Sequence, residues 1–317
     1  SQNDVDRVIE TATAINIPSD QQILHVIPQE FIIDGQEDIK EPIGMSGRRL
    51  EVRAHIVTGA VSAAQNIVKC IKRCGISVSD LVLQPLASSS SILTEDEKNL
   101  GTLLVDIGGG TTDIAIFHDG IIRHTAVIPF GGNVITEDIK EGCTIMHRQA
   151  ELLKTKFGAA LTQSSQDNEI VCIPGLRGRD PKEISVKNLS SIISARMSEI
   201  IEHIYFEIKN SGFEKKLIGG IVVTGGGSQL KHINQLIEFT TGMDSRIGYP
   251  NEHLSSNTNI SITSPLYATG VGLVAKGFEQ FELLKARNEK ISTRMHSKKN
   301  RGSFFETIKT FFDEKVD

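Results

Sequence analysis

Three consecutive glycines, Gly108, Gly109 and Gly110, stand between the apolar runs TLLVDI and TTDIAIF and constrain this chain more than any other feature. Glycine has no Cβ and adopts backbone angles closed to other residues, so such a run marks a tight turn whose amides can approach an anion closely. A third run, IIRHTAVI, follows after HDG, and the pattern from Gly101 onward predicts three strands in an antiparallel meander. Gly131, Gly132 and Asn133 break the pattern, and a helix is expected over residues 134–146 with Asn133 as its N-cap.

A second triplet, Gly225, Gly226 and Gly227, follows the short apolar run GIVVT, with a helix expected to start at Ser228. Between the two triplets, Ile192, Ile193, Met197, Ile200, Ile201, Ile204 and Ile208 recur at helical spacing and predict the buried face of a long helix ending near Gly212. Residues 147–186, with the helical AELLKTKFG, the polar SSQDNE and the turn PGLRGRDP, read as a small insertion. Strand, strand, strand, helix, insertion, helix, strand, helix is the order of a ribonuclease-H-like α/β domain.

Upstream, Val5, Val8, Ile9 and Ala12 predict a short opening helix. ILHVI, EFIID and RRLEVRAHIVT predict strands of an α+β module of about sixty residues. Val61, Ala64, Ile67, Val68 and Ile71 share one face of a further helix that stops at Gly75. The 317 residues suffice for about two domains. A formal charge of −5 gives no field for nucleic acid, and nucleic acid is not an expected partner. No stretch reaches the roughly 18 apolar residues of a membrane-spanning helix. Cys70 and Cys74 lie four apart on one expected helix, poor spacing for zinc without a second pair, so the four cysteines read as reduced thiols.

The first triplet is bracketed by Asp106 and Asp113 and followed by Thr111 and Thr112. Glycine amides and threonine hydroxyls make a phosphate cradle, and a carboxylate at a strand end can hold a water of a magnesium ion. A flexible hairpin with two solvated aspartates would also fit the glycines alone. The second triplet, placed between a strand and a helix start, argues against it, because such junctions aim amides at anions. GxxxxGK[ST] is absent and no GxGxxG opens a strand-helix unit, so neither a P-loop nor a Rossmann site is indicated.

LLVDIGGGTTDIAIF, from Leu103 to Phe117, resembles the second phosphate motif of the actin and Hsp70 superfamily of ATPases, and VVTGGGSQL, from Val222 to Leu230, resembles its adenosine motif. ILHVIPQEFIIDG, GMSGRRLEVRAHIVT, NIVKCIKRCGI, LASSSSILTEDEKNLG and IRHTAVIPFGGNVITEDI are similar to one branch, the FtsA family of bacterial cell-division proteins. The resemblance covers most of residues 1–277 and implies an α/β, actin-like (ribonuclease-H-like) ATPase fold with an incomplete first half and a small α+β inserted subdomain. It implies residues 1–58 as subdomain 1C, 59–105 as the remaining part of 1A, and 106–132 and 215–277 as the two parts of 2A. Residues 133–214 would contain 2B, residues 278–302 a basic linker and residues 303–317 a membrane-targeting helix.

Carried over residue by residue, the resemblance implies ATP and magnesium as ligands. Gly108, Gly109, Gly110, Thr111 and Thr112 would hold the β and γ phosphates, with Gly131, Gly132 and Asn133 beside them. Gly225, Gly226, Gly227 and Ser228 would meet the ribose and α phosphate, and Glu151 and Lys154 the ribose and adenine. Asp106 matches the metal-linked aspartate, and Asp113 and Gln84 stand where relatives orient the attacking water. The chain has one meander where the superfamily has two, each with a phosphate loop. ATP binding is therefore expected to be weakened or lost, with at most weak ATPase activity.

Near the end, Lys290, Arg294, Lys298, Lys299 and Arg301 form a basic stretch, followed by Phe304, Phe305, Ile308, Phe311 and Phe312. On a helix these five apolar residues fall within an arc of about 120°. A helix of this kind lies in a membrane interface while the basic stretch meets anionic lipid head groups. Docking on the protein's own domain or on a partner is the competing use of such a helix. FtsA proteins end in a membrane-targeting helix, so the resemblance implies a peripheral protein at the cytoplasmic face of the bacterial inner membrane, at the division septum. It would polymerise with itself, link FtsZ to that membrane and recruit later division proteins through residues 1–58. The alternative is a small-molecule kinase or other ATPase on the same fold, whereas a chaperone would need a peptide-binding domain that the residues after Gly277 are too few to form.

Overall fold

The computed structural model describes residues 1–162, 169–174, 180–251, 254, 260–282 and 285. The chain divides into two compact units, Ser1–Gly272 and Leu273–Asp317. In the second, residues 273–282 are helical, and Leu273, Val274, Phe278 and Phe281 are exposed. The basic stretch and the expected closing amphipathic helix lie outside the described residues.

The first unit is organised around β4 (Thr102–Ile107), in which every residue is buried. It pairs antiparallel with β5 (Thr112–His118), which pairs antiparallel with β6 (Ile121–Ile128), the meander that the glycine spacing predicts. On its other side β4 pairs parallel with β9 (Ile221–Thr224), and β9 with β10 (Ser245–Ile247), giving the order β10-β9-β4-β5-β6. A strand buried on both faces reads as a nearly continuous apolar run, because alternate side chains enter different layers. Leu103, Val105 and Ile107 enter the larger core with Ile135 and Ile139 of α5 (Gly132–Cys143), the buried face of α7 (Val186–Ser211) and Ile233, Leu236 and Ile237 of α8 (Ile233–Thr241). Leu104 enters the opposite layer with Ala115, Phe117, Val222, Ile92 and Ala268. Asp106 shares the parity of Leu104, so it emerges on the side of α3 (Gln84–Ile92) and of the helix that begins at residue 268.

Residues 1–60 form a separate sheet in the order β2-β1-β3, from β1 (Gln21–Ile33), β2 (Gln36–Ile39) and β3 (Leu50–Ala60). Helix α1 (Gln2–Ala12) contributes Val5, Val8 and Ile9 to the cluster around Phe31, Ile33 and Ile39. ILHVI and EFIID, expected as two strands, are one strand that runs through Pro28. The register shifts between Pro28 and Glu30, and β2 pairs only from Phe31 onward, so the missing proline N–H falls where β1 has a single partner. The module meets the meander through polar contacts: Gln29 Nε2 donates to the Ile122 carbonyl, Arg123 to Gln29 Oε1 at 3.1 Å, and His55 Nε2 lies 3.0 Å from Thr125 Oγ1.

Several elements depart from the sequence expectations. Helix α5 starts at Gly132 with Gly131 as its cap, and ends at Thr144, whose φ is +50°. Asn133 is therefore inside the first turn rather than its N-cap. Helix α8 begins at Ile233, because the second triplet continues into a 3-10 turn, Gly226–Gln229, closed by Ser228 Oγ donating to the Gly225 carbonyl at 2.8 Å. The insertion holds α6 (His147–Phe157) and a two-stranded sheet, β7 (Ile170–Ile173) with β8 (Lys182–Ser185), strands too short to show alternation. On α2 (Val61–Arg73) the expected stripe exists, but Ala64 alone is buried and Ile67 is 54% exposed.

Ile200 is fully buried at the centre of α7. Ile200→Ala is expected to lower the unfolding free energy by about 2 to 5 kcal/mol, read as the shift of a urea denaturation midpoint with unchanged slope.

Candidate functional site

Because β4 pairs Asp106 with Thr224 on one side and Ile107 with Thr112 on the other, both glycine turns leave the sheet at the same edge. They close on each other at backbone distance. A Cβ on Gly225, whose φ is +82°, would collide with Asp106 Oδ1 and the Ile107 carbonyl, and one on Gly131 would lie 2.5 Å from the Gly108 oxygen. The first-turn amides of α5 are tied into the same loop, Gly132 N–H donating to the Gly108 carbonyl at 2.9 Å and Asn133 N–H to that of Gly109 at 2.8 Å.

Between the turns lies a cavity of about 590 Å³. Gln84, Asp106, Gly108, Gly109, Gly132, Asn133, Glu151, Lys154, Gly225, Gly226 and Gly227 line it, bringing together residues up to 143 positions apart (227 − 84). Sequence reasoning missed Ile135, Thr155, Gln229, Leu230, Pro265, Leu266 and Thr269, which complete its walls. No local motif marks the last three, which are delivered by the chain's return to the sheet.

The hydroxyls expected as phosphate donors are engaged elsewhere. Thr112 Oγ1 donates to the Phe130 carbonyl and Thr111 Oγ1 to Asp113 Oδ2, both at 3.0 Å, and Ser228 Oγ closes its own turn. Gly110, Thr111, Thr112, Gly131, Asp113 and Ser228 support the turns rather than line the cavity. Among the donors that line it are the exposed backbone of Gly109 and the Lys154 ammonium. Lys154 Nζ lies 2.8 Å from Glu151 Oε2 and donates to Thr136 Oγ1 at 2.7 Å and to the Gly132 carbonyl at 2.8 Å. Thr136 in turn donates to Glu151 at 2.5 Å. Burial works against the Glu151 carboxylate, but the hydrogen bonds from Lys154 and Thr136 outweigh it and hold its pKa below the ordinary value.

The two aspartates sit in different surroundings. Asp106 is 3% exposed, and its Oδ2 accepts from Ser88 Oγ at 3.0 Å and Thr269 Oγ1 at 3.3 Å. Burial raises the pKa of Asp113, the Thr111 hydrogen bond opposes this, and the Asp106 charge raises it further. Among the described residues no group of three His, Cys, Asp or Glu side chains could cage a metal ion by itself. One or two carboxylates facing a phosphate cradle instead suit magnesium, which keeps its waters and shares phosphate oxygens. The amide-rich turns and the apolar wall of Ile135, Leu230, Pro265 and Leu266 fit a phosphorylated ligand with an uncharged ring. No helix among the described residues is long and apolar enough to cross a membrane.

The family profile described as cell division protein FtsA matches residues 103–272, and that of the SHS2 domain inserted in FTSA matches residues 1–58. The cell division protein FtsA of Pseudomonas aeruginosa is 44% identical over 277 residues, covering 87% of this chain, which spans 66% of that relative's length. That of Borreliella burgdorferi is 42% identical over 306 residues, covering 94% of this chain and 71% of the relative. Among solved structures, MreB5 of Spiroplasma citri bound to ADP aligns with a TM-score of 0.57 at 21% identity, covering 73% of this chain and 69% of that one. The sheet order, the glycine turns at one edge and this likeness define an actin-like α/β fold. Within that class, the chain belongs to the FtsA family of cell division proteins.

Gly225→Ala forces a Cβ into Asp106 at positive φ, whereas a Cβ on Gly110 meets nothing within 4 Å. Gly225→Ala is expected to cost about 1 to 3 kcal/mol in denaturant unfolding and Gly110→Ala much less. The pKa of Asp113 is raised in the fold above its ordinary 3.8, so the native state binds more protons than the unfolded chain just above that pH, and stability falls as pH rises through this window. Asp113→Asn should therefore raise the urea midpoint at pH 7 without nucleotide or divalent cation, and the gain should shrink towards zero as pH falls below about 4.

Proposed function

We propose that this chain is the body of an actin-like cell-division protein that binds ATP with magnesium between its glycine turns, polymerises, and anchors the FtsZ ring at the cytoplasmic face of the inner membrane at the septum. The observation that carries this reading is the convergence of both glycine turns, Asp106 and the Glu151–Lys154 pair on one cavity in a chain of the FtsA family. The fold neighbour MreB5 is bound to ADP, which supports a nucleotide as the occupant.

In this reading the backbone of Gly108 and Gly109 faces the β and γ phosphates, with Gly110 shaping their turn, while Gly225, Gly226 and Gly227 flank the ribose and α phosphate. Thr111, Thr112, Gly131, Gly132, Asn133 and Ser228 hold those turns in shape. Glu151 accepts from ribose hydroxyls, and Lys154, whose three donors go to Glu151, Thr136 and the Gly132 carbonyl, holds Glu151 in place and lies against the ribose and adenine. Magnesium, when bound, neutralises phosphate charge; Asp106 would hold it through a water, with Asp113 nearby. Gln84, in the cavity wall, would orient a water, with Asp113 set behind the first glycine turn and next to Asp106 across the β4–β5 pair. Turnover by this machinery is expected to be weak.

Residues 1–58 would form the contact surface for the neighbouring subunit and for later division proteins, as subdomain 1C. Residues 59–105 would belong to 1A, 106–132 and 215–277 to 2A, and 133–214 would contain 2B. Residues 278–302 would link this body to an anchor at 303–317. Phe304, Phe305, Ile308, Phe311 and Phe312 contribute roughly 1.5 to 3 kcal/mol each on full burial, less for partial insertion and for ordering the helix. Such an anchor binds weakly alone, and polymerisation raises avidity by multiplying it.

Co-sedimentation with anionic vesicles tests the reading. The chain is expected to pellet with lipid, more so with MgATP, and a variant ending at Arg301 to stay in the supernatant. Equal pelleting of the two would sink the anchoring role.

A further inference from the structure

The alternation along β4 that sends Leu104 towards α3 sends Asp106 the same way, and there the carboxylate meets two hydroxyls from segments far apart in sequence. Ser88 Oγ and Thr269 Oγ1 both lie in range of Asp106 Oδ2, at 3.0 and 3.3 Å, and lie 3.0 Å from each other. The segments carrying them are in backbone contact: a Cβ on Gly272 would collide with the Ala87 carbonyl, and Ser91 Oγ donates to the Ala268 carbonyl at 2.8 Å. Oδ1, by contrast, lies against Gly225 and receives no hydrogen bond from the described residues. One carboxylate oxygen is thus claimed by the protein while the other stays on the side of the second glycine turn.

We propose that Ser88 and Thr269 are positioning residues that fix the rotation of the Asp106 carboxylate, holding Oδ2 so that Oδ1 is presented to the hydrated cation that accompanies a bound nucleotide. The proposal rests on the nucleotide-binding reading above and adds two residues to it. A buried carboxylate without these donors would turn to satisfy both oxygens, and the energy of that turn would be subtracted from cation binding. Ser88 comes from a run of four serines, a poor helix sequence in isolation, and its hydroxyl is used here on the carboxylate rather than on its own helix. Thr269 sits at the start of a helix whose small residues, Ala268 and Gly272, bring it close enough to reach.

The test uses the intact protein and a fluorescent ATP analogue, titrated with excess Mg²⁺ and again in EDTA. Ser88→Ala, outside the cavity wall, is expected to weaken the Mg²⁺-supported affinity by about tenfold and leave the EDTA affinity within about twofold of the parent, as outer-shell partners of metal sites do; Thr269→Val, close to isosteric but in the wall itself, is expected to lower the Mg²⁺-supported affinity about tenfold more than the EDTA affinity. Thr269→Ser keeps the hydroxyl and should restore the parent's response. Loss of affinity to the same extent with and without Mg²⁺ would assign these residues a purely structural role and overturn the proposal, as would an unchanged Mg²⁺ response in both variants. A parent that binds no nucleotide under either condition would instead sink the nucleotide-binding reading, and this proposal with it.

Discussion

The pairing of β4 on both edges, antiparallel to β5 and parallel to β9, is the constraint from which the candidate site follows. Antiparallel pairing returns the chain at the end of β4, and parallel pairing brings the end of β9 to that same edge. Two turns separated by more than a hundred residues therefore face each other without any direct sequence relation. Glycine is required there because the turns approach to backbone distance. At Gly225 the neighbours of a Cβ would be the Ile107 carbonyl and the Asp106 carboxylate, and neither has room to move.

Around this frame the polar groups are organised by what remains to be satisfied. Hydroxyls of Thr112 and Ser228 bond to the backbone carbonyls of Phe130 and Gly225, so they shape the loops rather than face the cavity. Lys154, with its side chain 12% exposed, is held by Glu151, Thr136 and the Gly132 carbonyl, a network that ties α6 to the first turn of α5. Asp113 accepts a hydrogen bond from Thr111, and burial raises its pKa.

Much of this was legible beforehand where a signal is local. Continuous apolar runs separated by GGG and HDG can satisfy their backbones in few ways other than a meander, and the isoleucine spacing of α7 from Ile192 to Ile208 is unambiguous over more than four turns. Motif and resemblance also singled out Gly108, Gly109, Gly225, Gly226, Gly227, Glu151 and Lys154, which line one cavity. The strands β7 and β8 were not, because four residues carry too little periodicity, and α3 was not, because its serines are helical only in contact with Asp106 and Ala268. The start of α8 was misplaced by a 3-10 turn held by one serine hydroxyl. Helix α2 shows the reverse case, in which spacing alone marks a stripe that is not buried.

What the linear chain determines is therefore a set of elements, the chemistry of their turns and the family to which they belong, since each is encoded within a few neighbouring residues. What only the folded chain decides is who meets whom: Thr269 and Ser88 on Asp106, Pro265 and Leu266 opposite the first glycine turn, the threonine hydroxyls turned inward. Those meetings depend on strand order and on which face each residue of β4 presents. Strand pairing links residues over long separations, and no local spacing encodes that choice.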